Sequence, residues 1–268
     1  RLENGTAKTQ REVTVKLLER MRVSPEYQRY RIVTDKYEVL ILYDAVGKAL
    51  NNRDMKAMGG ILPQLKAMIP MELTINRQEI AFLENLYLWH TEKITKQECL
   101  LRLKEILGET VPLERIRQAQ EEYLSVGELI YLYNIADKSE GGEKAELMGA
   151  VYAICKRLVS ENGIGADISI YNLVINAIAS YFGDVGEYDI SNEMSNRVLR
   201  ENLVLRRMTM LHESIYNKLW NRVERSKKSG DAEPKKSFRV ELESCIRLAG
   251  LCRDMFSEKF YIKMRKWQ

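Results

Sequence analysis

Apolar residues recur at helical spacing along nearly the whole chain, and this periodicity constrains the fold more than any other feature of the sequence. No stretch alternates between apolar and polar residues for long enough to predict a β-strand. The chain contains only 5 Pro and 15 Gly in 268 residues, while Leu, Glu, Lys, Arg and Ala are plentiful. Those residues favour helix. We therefore expect an all-α protein.

Breaks in this pattern divide the chain into pairs of helices arranged in series. Serial helical hairpins are typical of an α-solenoid, in which each hairpin contacts mainly its neighbours. We therefore expect an α-solenoid over most of the chain. The predicted pairs are 25–50 with 55–68, 77–90 with 95–107, 113–137 with 143–159, 167–182 with 187–202, and 205–225 with 237–256.

A tyrosine–asparagine pair recurs in the first helix of the later hairpins, and in two of them a second asparagine follows four residues on. Residues four apart share one face of a helix, and a carboxamide both donates and accepts hydrogen bonds. Such a face can hold the backbone of an extended peptide, with the tyrosines walling the groove or packing beneath it. The residues are Tyr133, Asn134, Tyr171, Asn172, Asn176, Tyr216, Asn217 and Asn221.

These asparagines also have an interpretation that involves no ligand. They can cap neighbouring backbone groups or face water, while the tyrosines pack between hairpins. The same choice applies to Arg206, which with Arg207 and His212 could bind a carboxylate such as a peptide C-terminus. Alternatively, these residues form a solvated helix face.

The sequence shows no pattern that supports catalysis or a cofactor. It lacks G-x-S-x-G, G-x-x-x-x-G-K-[ST] and H-E-x-x-H motifs. Two His and four dispersed Cys do not form a usual zinc site. We expect no enzyme activity, no cofactor, no metal, and reduced thiols in a cytoplasmic protein. No apolar run approaches the roughly 18 to 20 residues that span a bilayer.

The first residues, Arg1-Leu2-Glu3-Asn4-Gly5, lack a starting Met and precede an amphipathic run. This string resembles the end of the recognition helix in a lambda-repressor-like helix-turn-helix domain. The resemblance implies that residues 1–25 are a truncated remnant of a DNA-binding domain, in which Arg1 and Asn4 belonged to the DNA-binding surface. Residues 26–268 would then form the effector and dimerisation domain. Such a chain should sense and dimerise without binding an operator by itself.

The recurring aromatic–Asn pattern resembles degenerate tetratricopeptide repeats, and Tyr181-Phe182-Gly183-Asp184 resembles the turn between the helices of such a repeat. Together with the helix-turn-helix remnant, this resembles the peptide-pheromone-responsive regulators of Gram-positive bacteria, which act in quorum sensing. The resemblance implies a cytoplasmic homodimer whose repeats bind a short signalling peptide through Asn side chains. A protein-interaction scaffold without a small ligand, and an array that serves only dimerisation, are the alternatives.

The last residues of the chain are basic and aromatic. Phe256, Phe260, Tyr261 and Trp267 are spaced as on one helix. We expect them to seal the apolar end of the last hairpin, because a solenoid end needs such a cap. A dimer contact is the other interpretation.

Overall fold

The computed structural model describes residues 31–119, 124–160, 171–205, 208–230 and 235–265. Every regular element in these residues is helical, which confirms the predicted all-α class. The DNA-binding remnant predicted for residues 1–25 lies outside the described residues. The helices are α1 (Tyr37–Asn51), α2 (Met55–Met68), α3 (Thr74–His90), α4 (Lys96–Gly108), α5 (Leu113–Ala119), α6 (Val126–Lys138), α7 (Gly141–Ser160), α8 (Asn172–Asp184), α9 (Tyr188–Leu205), α10 (Leu211–Ser229), α11 (Lys235–Leu251) and α12 (Met255–Arg265).

The chain forms two compact units. Among the described residues, the first unit runs to Arg157, and the second comprises 158–160 and 171–265. In the first unit α1 packs on α2, α2 on α3, α3 on α4, and α4 on α6. In the second unit α8 packs on α9 and α10, and the remaining helices each pack on the next one in sequence. Both units lie within the predicted effector region.

The first predicted helix is shorter than the sequence pattern suggested. Residues 31–36 are not helical, and α1 begins only at Tyr37. The backbone of Val33 instead bonds to the side chain of Asn76 on α3, which satisfies its N–H and C=O without a helix. Between α1 and α2, Arg53 adopts a left-handed conformation with φ of 57°. Asp54 then caps α2 by accepting a hydrogen bond from the Ala57 N–H at 3.0 Å.

Two capping boxes set helix starts in the first unit. Thr95 and Glu98 form one at the start of α4. Ser125 and Glu128 form a second one at the start of α6. Each box satisfies two backbone N–H groups at the end of its helix. The prediction of one helix over 113–137 was therefore wrong, because α5 and α6 are separate.

A similar break divides the last predicted helix, 237–256. Helix α11 ends at Leu251, Arg253 adopts a left-handed φ of 56°, and Asp254 precedes the new helix α12. Tyr261 of α12 is 2% exposed and packs into an apolar core built from α10 and α11. Tyr261 thus covers apolar surface as predicted, whereas Phe256 and Phe260 remain exposed and Trp267 lies outside the described residues. The core residues are Leu219, Val223, Phe238, Leu242, Cys245, Ile246 and Ala249.

None of the helices in the described ranges is both long and apolar enough to cross a membrane.

Candidate functional site

A cavity of about 590 Å³ lies in the second unit, lined mainly by α8, α10 and α12. Its volume falls within the range of about 300–1,000 Å³ that is usual for ligand sites. Three of the asparagines predicted to bind a peptide line it, and so does Tyr216, one of the tyrosines predicted to wall such a groove or pack beneath it. Trp220, Phe260 and Tyr261 also line it, although the sequence did not assign them to a binding site. The three asparagines are Asn176, Asn217 and Asn221.

Asn176 and Asn217 are joined across α8 and α10. The Asn217 side-chain amide donates to Asn176 Oδ1 at 3.1 Å. The same Oδ1 accepts from the Ser214 hydroxyl at 2.9 Å, and the Ser180 hydroxyl donates to Asn217 Oδ1 at 3.1 Å. Asn176 is only 7% exposed, whereas Asn217 is half-buried. Asn217 is therefore the carboxamide best placed to meet a ligand.

Asn221 serves mainly to join helices. It is 1% exposed, and its amide donates to Ser191 Oγ at 2.8 Å and to Asn192 Oδ1 at 3.0 Å, both on α9. A Cβ added to Gly183 would lie 2.7 Å from Asn221 Oδ1. Because Gly183 has no side chain, the Asn221 carboxamide can occupy the space beside it.

Three of the predicted peptide-binding residues that the structure describes, Asn134, Tyr171 and Asn172, do not line the cavity. Asn172 is fully buried, and neither of its amide atoms forms a hydrogen bond with the described residues. The prediction that Asn172 and Asn176 together face a groove was therefore wrong. Tyr171 is 1% exposed, which matches packing beneath a surface. Asn134 belongs to the first unit and donates to the Ile130 carbonyl of its own helix at 2.9 Å. Arg206, Arg1 and Asn4 lie outside the described residues.

Aromatic rings form a second wall of the cavity. The Tyr216 ring centroid lies 4.9 Å from that of Tyr261, 5.5 Å from Phe260 and 6.4 Å from Trp220. Phe260 is 41% exposed, which is unusual for a ring in contact with a core. From the sequence, Phe260 and Tyr261 were expected in an end cap or, as the alternative, in a dimer contact. The spacing of four between Tyr216 and Trp220 was the available signal for a shared face.

Ionisable groups cluster at the N-terminal end of α10. His212 Nδ1 lies 3.2 Å from Glu213 Oε2 and also 3.2 Å from the Tyr261 hydroxyl. His212 Nε2 lies 3.7 Å from Asp254 Oδ2. Burial raises the pKa of Glu213 to about 7, and the nearby Asp254 adds to that shift. Burial lowers the pKa of His212, so its ring is neutral at neutral pH.

His212, Glu213 and Asp254 are also the group of potential metal ligands in the described part of the chain. The two ring nitrogens of His212 face different carboxylates in this arrangement. A metal ion bonds to only one of these nitrogens. The two carboxylates therefore do not converge on the nitrogen that would bind a single metal ion.

A larger cavity, of about 800 Å³, lies beside α9, α10 and α11 in the same unit. Its walls carry several basic side chains, but Arg222 pairs with Glu241 at 2.7 Å and Arg225 pairs with Asp189. Lys218 donates to Asn196 Oδ1 at 2.7 Å. Because these groups already bind one another, this cavity is the weaker candidate.

Comparison of the chain with protein-family models, curated proteins and solved structures gave no match.

Proposed function

We propose that this chain is the ligand-sensing and dimerisation part of a DNA-binding transcription regulator, and that it binds a short peptide in the cavity of its second unit. One observation carries the proposal: Asn217 and an aromatic wall line the same cavity. A carboxamide suits a peptide backbone, and aromatic rings suit apolar side chains. The tetratricopeptide-like solenoid, the homodimer and the link to DNA are supported by the sequence resemblance alone.

Asn217 can accept a ligand without losing its strongest contacts. Its amide also approaches the Asn176 carbonyl, but at 3.5 Å this is a weak contact. A peptide carbonyl can replace that contact while the 3.1 Å bond to Asn176 Oδ1 remains. The oxygen of Asn217 keeps a second lone pair for a peptide N–H. Most of the affinity would come from apolar burial against the rings of Tyr216, Trp220 and Phe260.

Ligand binding can be coupled to a change of shape because three helices share the cavity. A ligand that contacts α8, α10 and α12 together favours whichever of their arrangements it fits best. Coupling requires only such a difference in affinity between two arrangements. In a homodimer, this shift would alter the spacing of two DNA-binding domains.

Calorimetric titration with synthetic octapeptides composed of Leu, Ile, Val and Phe tests the proposal. We expect saturable binding accompanied by a change in Trp220 fluorescence, measured in a Trp89→Phe, Trp267→Phe background. Asn217→Ala should weaken binding about three- to tenfold, the loss expected for one or two hydrogen bonds. Asn134→Ala is the matched control and should leave binding unchanged, because its amide bonds within its own helix.

If no octapeptide binds, the proposal is wrong. Purification of a stoichiometric protein partner in that case would favour the interaction scaffold. Equal weakening by Asn134→Ala and Asn217→Ala would place the peptide outside the cavity. Light scattering during gel filtration measures the expected homodimer separately.

A further inference from the structure

Glu213 is a carboxylate without an adequate partner at the end of the cavity. It lies in the first turn of α10, its side chain is 21% exposed, and its Oε2 atom is buried without a hydrogen bond. The 3.2 Å contact between Oε2 and His212 Nδ1 lacks hydrogen-bond alignment. A buried polar group without a partner is costly, and a charged one is more so. Glu213 also lines the cavity, so a cation bound there would offset the cost of keeping this carboxylate charged.

The groups around Glu213 do not supply a compensating positive charge. His212 is buried and neutral, as its lowered pKa indicates. Asp254 adds a second negative charge and is held in place by the N–H and hydroxyl of Ser257, at 3.0 and 2.7 Å. Lys263 lines the same cavity, but its side chain is exposed to solvent. Among the described residues around Glu213, no buried cation balances the two carboxyl groups.

The aromatic wall favours the same kind of ligand group. Tyr216, Phe260 and Tyr261 surround this part of the cavity with mutual centroid distances of 4.9 to 5.7 Å. The faces of aromatic rings carry partial negative charge and attract ammonium and guanidinium groups. A carboxyl group and aromatic rings that line one cavity can thus form a site for an organic cation.

We propose that the cavity selects ligands with a cationic nitrogen group, an ammonium or a guanidinium, which pairs with Glu213 while the rest of the ligand lies along Asn217 and the aromatic wall. This inference rests on the proposed peptide-binding function and specifies the ligand class of that site. The cation can come from the amino terminus of the peptide or from a Lys or Arg side chain.

Three octapeptides with the same apolar sequence separate these sources. The first has a free amino terminus, the second is N-acetylated, and the third is N-acetylated with a Lys at its first position. We expect the acetylated peptide to bind about tenfold more weakly than the free peptide, a loss typical of one charge-assisted contact. Tight binding of only the free peptide identifies the amino terminus, and recovery by the Lys peptide identifies a side chain.

Glu213→Gln tests whether this carboxylate provides the preference. The variant should bind all three peptides with similar affinity, a loss of selectivity that a general loss of stability would not produce. Glu224→Gln, on the same helix, is the matched control, because Glu224 pairs with Lys227 at the surface. It should keep the wild-type preference.

Each failure has a distinct meaning. Equal wild-type affinity for the free and acetylated peptides, or a preference that survives Glu213→Gln, overturns the inference but leaves peptide binding intact. Binding of phenethylamine without binding of any peptide supports the cation site and overturns the peptide-binding function. Micromolar binding of Zn²⁺ that requires Glu213 and excludes the peptides assigns the cluster to a metal and overturns the inference.

Discussion

The side chain of Asn76 hydrogen-bonds to both the N–H and the C=O of Val33. The Val33 N–H donates to Asn76 Oδ1 at 2.7 Å, and Asn76 Nδ2 donates to the Val33 carbonyl at 2.9 Å. The same nitrogen donates to the Pro70 carbonyl at 2.9 Å. An asparagine on a helix thus binds both the N–H and the C=O of a non-helical residue within this chain. It is the interaction expected between Asn217 and a peptide.

Removal of this contact should destabilise the first unit. Asn76→Ala leaves buried donor and acceptor groups of Val33 and Pro70 without partners, and we expect a loss of about 3 kcal/mol in the free energy of unfolding. Asn52→Ala is the control, because the Asn52 amide makes an exposed bond to Lys48 of its own helix. It should cost less than about 1 kcal/mol. Urea unfolding followed by circular dichroism measures both. Equal effects would contradict the structural role of Asn76.

The helical periodicity was sufficient to predict the class and most helix pairs, but it could not separate the roles of the asparagines. The spacing of four places Asn217 and Asn221 on one face, yet the Asn221 side chain bonds to α9 whereas the Asn217 side chain bonds to α8. Asn85 likewise donates to the Cys99 carbonyl of α4 at 3.0 Å. Asparagines at similar positions therefore recur partly because helices need buried polar contacts with their neighbours. Which neighbour each one meets depends on tertiary packing.

The cavity itself could not be predicted from spacing along one helix. Its aromatic wall joins Tyr216 and Trp220 of α10 to Phe260 of α12, which lies 40 residues further along the sequence than Trp220. Glu213 likewise has no local sequence signal. Its raised pKa results from burial and from Asp254, which the break after Leu251 brings close to it.

Glu79 should be the most sensitive charged residue of the first unit. Its side chain is fully buried, pairs with Arg31 at 3.0 Å, and accepts hydrogen bonds from Tyr43 and Tyr131 at 2.8 and 2.9 Å. Glu79→Gln leaves the guanidinium unpaired in a buried site and should cost about 3 kcal/mol or more.

The exposed pair of Lys66 and Glu84, at 2.7 Å, provides the comparison for Glu79. Glu84→Gln should cost less than about 1 kcal/mol, because water screens this pair. Thermal and urea unfolding of both variants give the values. A Glu79→Gln variant as stable as Glu84→Gln would refute the importance of the buried network.

Gly183→Ala should disturb the packing of α8 against α9 and α10. The new Cβ would lie 2.7 Å from Asn221 Oδ1 and 3.3 Å from Ser191 Oγ. Asn221 cannot move away without losing its bonds to α9, so we expect a loss of about 1–3 kcal/mol. Gly149→Ala, in α7, meets no atom within 4 Å and should stabilise the protein by about 0.5–1 kcal/mol. Opposite signs in urea unfolding are the expected result.

Glu213 should make stability depend on pH. Its pKa is about 7 in the folded protein against an ordinary 4.5, so the folded state binds its proton more tightly. The resulting stability is complete below pH 4.5 and is lost as the pH rises through about 7. Glu213→Gln cannot ionise, so it should gain about 1–3 kcal/mol relative to wild type over this range. Taking the difference between the two proteins cancels the effects of titratable groups that lie away from Glu213. A difference that does not vary with pH would mean that Glu213 titrates normally.

The four cysteines should differ sharply in reactivity towards a disulfide reagent. Cys99, Cys155 and Cys245 are buried, whereas Cys252 is exposed. Burial raises the pKa of Cys155 and of Cys245 to about 12, which leaves almost no thiolate in the folded protein. We expect one thiol per chain to react in the native state, and all four in concentrated guanidinium. Cys252→Ser should abolish the native reaction and leave three thiols in denaturant.

The rate at Cys252 should itself be slow, because partial burial and the negative charges of Glu213 and Asp254 also raise its pKa. Reaction of two or more thiols at one rate would show that the helices around Cys245 open together.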